Sequence, residues 1–191
     1  MTGAEPSALF ARAEADAVFA ARRLAEILSR GRRSIVLAES CTAGLASDLI
    51  ARAGGASAAL WGSFVCYSPE AKERMLGLDG SLLRRHGPAS MEAAREMAIC
   101  ALRKSGAWAS AAVTGIAGPL GDGSAAPVGA VWIALAVRGE GGTGEMPAAE
   151  REMRFLGDRA EVRMQAAGAV LRELLDLAAA LRIENCGPQG A

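Results

Sequence analysis

Four short, uncharged, apolar runs at residues 34–38, 60–67, 108–113 and 128–137 alternate with stretches of helical spacing, and that alternation constrains the fold more than any other feature. Strands of this kind are buried on both faces, so the expected class is α/β, a single three-layer α/β/α sandwich. Residues 7–30 set apolar side chains at Phe10, Ala13, Ala17, Ala20, Leu24, Ile27 and Leu28, a helical stripe stopped by Gly31. Further helices are expected at 42–53, 69–75 and 90–104, and a last one, capped by Asp158, to residue 181. A fifth strand is expected at 151–155. The glycine-rich segment 138–147 reads as an exposed loop, too short for a helical crossover, so the sheet should be mixed and have five or six strands. The 191 residues are expected to form one domain, 1–191, with frayed ends at 1–6 and 184–191.

Composition narrows the chemistry. Basic and acidic side chains balance at 21 each, which gives no overall field to draw a polyanion, and no nucleic-acid partner is expected. Gly and Pro break every apolar run well short of the ~18 residues that span a bilayer. The amino terminus also lacks a basic-then-apolar leader. A cytoplasmic chain with no membrane partner is expected. Cys41, Cys66, Cys100 and Cys186 follow no Cys-x-x-Cys or Cys/His spacing and read as reduced thiols. Histidine occurs once, at His86, and lysine only at Lys72 and Lys104. A polyhistidine zinc site is thereby excluded, and any serine or cysteine nucleophile paired with histidine must use His86. No metal and no cofactor are implied.

Four segments could carry chemistry. At 38–44, Ala-Glu-Ser-Cys-Thr-Ala-Gly, a strand gives way to a helix with Ser40 at the turn. Unpaired amides and the dipole of a helix's first turn stabilise negative charge, so a hydroxyl there can attack a carbonyl while amides of Cys41, Thr42 and Ala43 hold the oxyanion. Ser40 or Thr42 serves equally as a plain helix cap. Cys41 competes as nucleophile, but without a histidine partner it fits packing better. At 64–72, Phe-Val-Cys-Tyr-Ser-Pro-Glu-Ala-Lys, a strand leads past Tyr67 to Lys72. A buried lysine can act as base where arginine cannot, whereas a solvated Lys72 would pair with Glu70 or Glu73.

The third segment runs from Thr114 through Gly115, Ile116, Ala117, Gly118 and Pro119 to Pro127. Glycines directly after an apolar strand let amides approach a phosphate, although this is neither a Walker nor a Rossmann fingerprint and a surface loop has the same composition. In the fourth, Asp158 and Glu161 have capping-box spacing, and Arg159 and Arg163 lie one turn apart, either clamping an anion or solvated.

Taken in order, the segments 38–44, 64–72, 114–119, 127–132 and 157–163 resemble the CinA carboxy-terminal domain family, whose enzymatic members are nicotinamide-nucleotide amidases; the similarity spans residues 8–175. The resemblance implies metal-free serine hydrolysis of the carboxamide of nicotinamide mononucleotide, a small pyridine nucleotide, to nicotinic acid mononucleotide and ammonia. It implies Ser40 as nucleophile, Lys72 as base, Tyr67 beside them, and a homodimer. Glu39, Gly44, Thr114, Gly115, Ile116, Ala117, Gly118, Arg159 and Arg163 are then expected at the substrate. The chain departs from the family pattern at Ala43, Cys66, Pro69, Leu120, Asp122 and Ala126. Those departures motivate the alternative of a nucleotide-binding or regulatory relative with weakened catalysis. Longer family members carry a separate domain associated with ADP-ribose pyrophosphatase activity, which is not expected of these 191 residues.

Overall fold

Each of the four apolar runs becomes a strand, and the intervening segments fold back as helices. The computed structural model describes residues 7–139 and 144–183. In chain order it holds α1 (Ala8–Arg30), β1 (Ile35–Glu39), α2 (Leu45–Ala51), α3 (Ala56–Ala59), β2 (Leu60–Val65), α4 (Pro69–Ala71), a π-helical turn (Lys72–Leu76), α5 (Gly80–His86), α6 (Met91–Lys104), β3 (Ala109–Gly115), β4 (Ala130–Arg138), β5 (Glu145–Arg154) and α7 (Arg159–Ala180). The expected frayed ends at 1–6 and 184–191 lie outside the described residues, as does Cys186.

The five strands form one mixed sheet in the order β2-β1-β3-β4-β5. β1 pairs in parallel with β2 and β3, and β3, β4 and β5 are antiparallel neighbours. The two-residue alternation of strands divides the core. Ile35, Leu37, Val113 and Ile133 join the layer of α1, α2 and α7, while Val36, Ala38, Ala112 and Trp132 join that of α6. Trp132 is therefore core, whereas Trp61 stays half-exposed on the edge strand β2.

Several elements differ from expectation, among them β5, α5 and α2. β5 begins at Glu145 rather than 151 and contains Pro147. Proline is tolerated there because β5 is an edge strand whose pairing with β4 is irregular between Leu135 and Ala136, so the missing donor breaks no regular ladder. Helix α5, capped by Asp79, arises in a stretch with little apolar pattern, burying only Leu83. Helix α2 begins at Leu45 instead of Thr42 because Ala43 and Gly44 take left-handed conformations, φ 53° and 91°.

The topology already marks a place for a ligand. The chain leaves β1 toward β2 and leaves β3 toward β4, in opposite directions, so the crevice at the carboxyl ends of β1 and β3 is a topological switch point, where α/β sheets bind ligands.

Candidate active site

Ser40 is the first residue beyond β1. Its N–H donates to the Val113 carbonyl at 2.9 Å, which fixes it to β3. The wholly buried Glu39 carboxylate accepts from the N–H groups of Gly44 (2.9 Å), Ala46 (3.1 Å) and Ser47 (2.9 Å), and from Ser63 Oγ (3.2 Å). Glu39 thus caps α2 from the preceding strand. Glu39 and Gly44, expected at the substrate, bond one another and stand outside the walls of the cavity beside Ser40.

Pro69 opens α4, with Ser68 as its cap, and the π-helical turn that follows brings Lys72 inside. Lys72 is only 1% exposed. Its Nζ lies 3.1 Å from Ser40 Oγ, 3.0 Å from Thr114 Oγ1 and 2.8 Å from the Pro88 carbonyl oxygen. Burial pushes the amine down from its usual 10.5 to about 8. Thr114 Oγ1 donates to the Pro88 carbonyl at 3.0 Å, leaving its oxygen free to accept from Lys72. A neutral Lys72 therefore has acceptors for both N–H bonds, Pro88 and Thr114, and its lone pair turns toward the Ser40 hydroxyl. Burial pushes the neighbouring Cys41 thiol up to about 12, so it stays protonated and does not compete as nucleophile.

The cavity beside this pair has a volume of about 200 Å³. Its walls include Ser40, Cys41, Tyr67, Lys72, Thr114, Arg159 and residues 115–118, with Leu120 and Asp122 on the loop beyond. Arg159 Nη1 donates to the Gly118 carbonyl at 2.6 Å and Nη2 donates to Tyr67 Oη, so the guanidinium ties two walls together. The Ile116 N–H is committed to the Ala130 carbonyl at 2.9 Å, whereas the N–H groups of Ala117 and Gly118 meet no acceptor among the described residues. Gly115 is required by the sheet rather than by a ligand, because a Cβ there would stand 2.5 Å from the Ala130 carbonyl oxygen. A larger groove of about 340 Å³ between α1, β5 and α7 has no serine, cysteine or lysine in its walls. Among the described residues no group of three or more His, Cys, Asp or Glu side chains is placed to hold a metal ion, and no helix is long and apolar enough to cross a membrane.

Comparison with known proteins identifies the family and the fold. Residues 18–178 match the CinA C-terminal domain. The chain belongs to that family. A CinA-like protein of Anaeromyxobacter sp. (strain K) is 43% identical over 151 residues, 79% of this chain and 35% of that protein. One from Chlorobium chlorochromatii (strain CaD3) is 40% identical over 150 residues, 78% and 34%. The chain spans about a third of the length of these curated relatives. Among solved structures, the competence/damage inducible protein CihA from Agrobacterium tumefaciens matches with a TM-score of 0.75 at 33% identity, covering 95% of this chain and 99% of that one. A CinA superfamily protein from Klebsiella pneumoniae 700603 matches with a TM-score of 0.78 at 29% identity, covering 86% and 98%.

In this CinA C-terminal domain the expected residues separate into two groups. Ser40, Lys72, Thr114, residues 115–118, Tyr67 and Arg159 share the cavity. Tyr67, half-exposed at the rim, bonds Arg159 and makes no hydrogen bond to Ser40 or Lys72 among the described residues. Arg163 faces the nucleophile turn instead of the cavity, donating from Nε to the Cys41 carbonyl at 3.2 Å and from Nη2 to the Thr42 carbonyl at 2.8 Å. Ala43 is no free oxyanion donor, since its N–H is bonded to the Ser40 carbonyl at 3.1 Å; the Cys41 and Thr42 amides have no acceptor among the described residues. Sequence reasoning missed the Pro88 carbonyl, and the Gly87-Pro88 turn was the only local signal of it. Thr114, expected at the substrate, lines the cavity and also accepts from Lys72.

Proposed function

We propose that this family member is a cytoplasmic serine amidohydrolase that converts nicotinamide mononucleotide and water to nicotinic acid mononucleotide and ammonia. The observation that carries the reading is a buried Lys72 amine, 3.1 Å from the Ser40 hydroxyl and drawn down to about 8. Neutral Lys72 takes the Ser40 proton as Oγ bonds to the carboxamide carbon. The resulting oxyanion is held by the Cys41 and Thr42 amides. The C–N bond breaks as Lys72 returns the proton to the departing ammonia, leaving an ester on Ser40. Water then attacks that ester, Lys72 accepts its proton, and the proton passes back to Ser40 as the acid leaves. The Ala117 and Gly118 amides, which meet no acceptor among the described residues, and the Arg159 guanidinium supply a positive side for the substrate phosphate. The homodimer implied by the resemblance belongs to the same proposal, with half-exposed Trp61 on β2 as apolar surface for it.

The deciding experiment is ammonia release from nicotinamide mononucleotide in the presence of EDTA. Wild type should turn over, and Ser40→Ala and Lys72→Ala should each lose on the order of 10³-fold or more in kcat. Binding of the nucleotide without ammonia release would identify a non-catalytic relative instead.

A further inference from the structure

Residues 41–44 form the turn between β1 and α2. They precede the first helical residue of α2, and Ala43 and Gly44 both take left-handed conformations. Within the turn, the Ala43 N–H bonds the Ser40 carbonyl at 3.1 Å and the Leu45 N–H bonds the Thr42 carbonyl at 3.2 Å. Glu39 and α2 hold the Gly44 end of the turn, through the Gly44 N–H and carbonyl, while the Cys41 and Thr42 carbonyls are held together from α7 by Arg163. A trans peptide points its N–H opposite to its C=O. Fixing the Cys41 carbonyl therefore fixes the direction of the Thr42 N–H, and fixing the Thr42 carbonyl fixes that of the Ala43 N–H, which closes the turn on Ser40. The cation also lies on the carbonyl side of these peptide groups, which makes their hydrogens better donors on the far side.

Resting on the amidase reading above, we propose that Arg163 is a positioning residue: through the Cys41 carbonyl it sets the peptide plane of the Thr42 N–H, and through the Thr42 carbonyl and the Ala43 N–H bond to the Ser40 carbonyl it sets that of the Cys41 N–H, the two groups offered to the oxyanion formed at Ser40. It does not bind the substrate phosphate. Arg159, which lines the cavity, provides the contrast.

The test uses two readouts on wild type, Arg163→Met, Arg163→Lys and Arg159→Met. The first is the rate at which a fluorophosphonate labels Ser40, followed by intact mass. In that reaction the Ser40 Oγ–P bond forms, fluoride leaves, and the hydroxyl proton passes to Lys72, so the same oxyanion donors are needed without any nucleotide. The second is kcat and KM for nicotinamide mononucleotide and for its dephosphorylated nucleoside. Arg163→Met should lower kcat for both substrates, and the labelling rate, by about 10²-fold, with KM within about threefold and the pH midpoint unmoved. Arg163→Lys, which keeps the charge and one donor, should fall between Arg163→Met and wild type. Arg159→Met should raise KM for the mononucleotide alone.

Unchanged kcat and labelling in a folded Arg163→Met overturns the proposal. So does a rise in KM confined to the mononucleotide, which would make Arg163 a phosphate ligand. Circular dichroism establishes folding, and if the methionine variant does not fold, wild-type rates in Arg163→Lys overturn the proposal. Wild type that is labelled at Ser40 but releases no ammonia ends the amidase reading, while the labelling comparison still decides the role of Arg163. Wild type not labelled at Ser40 overturns both.

Discussion

In the proposed amidase, Lys72 sets opposing demands on stability and catalysis. In the folded chain its amine loses its proton near pH 8, against 10.5 for an ordinary lysine. Between those values the unfolded chain binds more protons than the folded one, so stability rises with pH from about 8 to 10.5. Below about 8 both states are protonated, and burial of the charge costs the fold about 3 kcal/mol. Lys72→Met should therefore abolish amide hydrolysis yet stabilise the protein at pH 7 by about 1–3 kcal/mol. The gain survives removal of the amine because Thr114 keeps its bond to the Pro88 carbonyl. Urea unfolding at pH 7 measures it, and a less stable variant would contradict the assignment. Catalysis has the matching sign. Only the neutral amine accepts the Ser40 proton, so kcat/KM should climb about tenfold per pH unit below the midpoint and level off above about 8. A profile flat from pH 6 to 9 would remove Lys72 as base.

At the scale of elements, the short helix α2 depends on a carboxylate that belongs to a strand. Its N-cap residue Gly44 offers no side-chain cap, and Glu39 accepts three of the first amides. Glu39→Ala should cost about 2–4 kcal/mol, because it leaves buried N–H groups without a charged acceptor. The loss is read as a lower urea midpoint with unchanged slope, and a change below about 0.5 kcal/mol would show that the cap is dispensable. The central strands were legible because β1, β3 and most of β4 are buried on both faces, which demands a continuous apolar run. β5 was not legible in full. Its Glu145, Pro147, Glu150, Arg151 and Glu152 show no strand preference, and hydrogen bonding to β4 imposes the conformation. Helix α5 escaped for the reverse reason, with only Leu83 buried and so no stripe to read.

Across the molecule, the site is the meeting point of the β1 turn, the end of β3, the π-helical turn, the Pro88 carbonyl and the start of α7, and its geometry relies on rigid packing beneath. One such contact is α1 against α7, where Gly168 lies so close to Ala17 that a Cβ would fall 3.1 Å from the Ala17 Cβ. Ala17 is fully buried, so Ala17→Leu must part the two helices and should cost about 1–3 kcal/mol. Thermal unfolding measures it, and an unshifted midpoint would mean that the pair has slack.

The amino-acid sequence by itself determined the α/β class, the mixed sheet, and the short supply of bases that singled out Ser40 and Lys72, since periodicity and residue type are local properties. Only the tertiary structure decided what each polar group touches. It joined residues 40, 72, 88 and 114 within hydrogen-bonding distance. It also engaged Glu39, Gly44 and Arg163, expected at the substrate, in hydrogen bonds of the turn that follows β1. A donor or acceptor is claimed by whichever partner the folded chain brings nearest, and at the turn after β1 that partner, Arg163, stands 122 positions from Cys41.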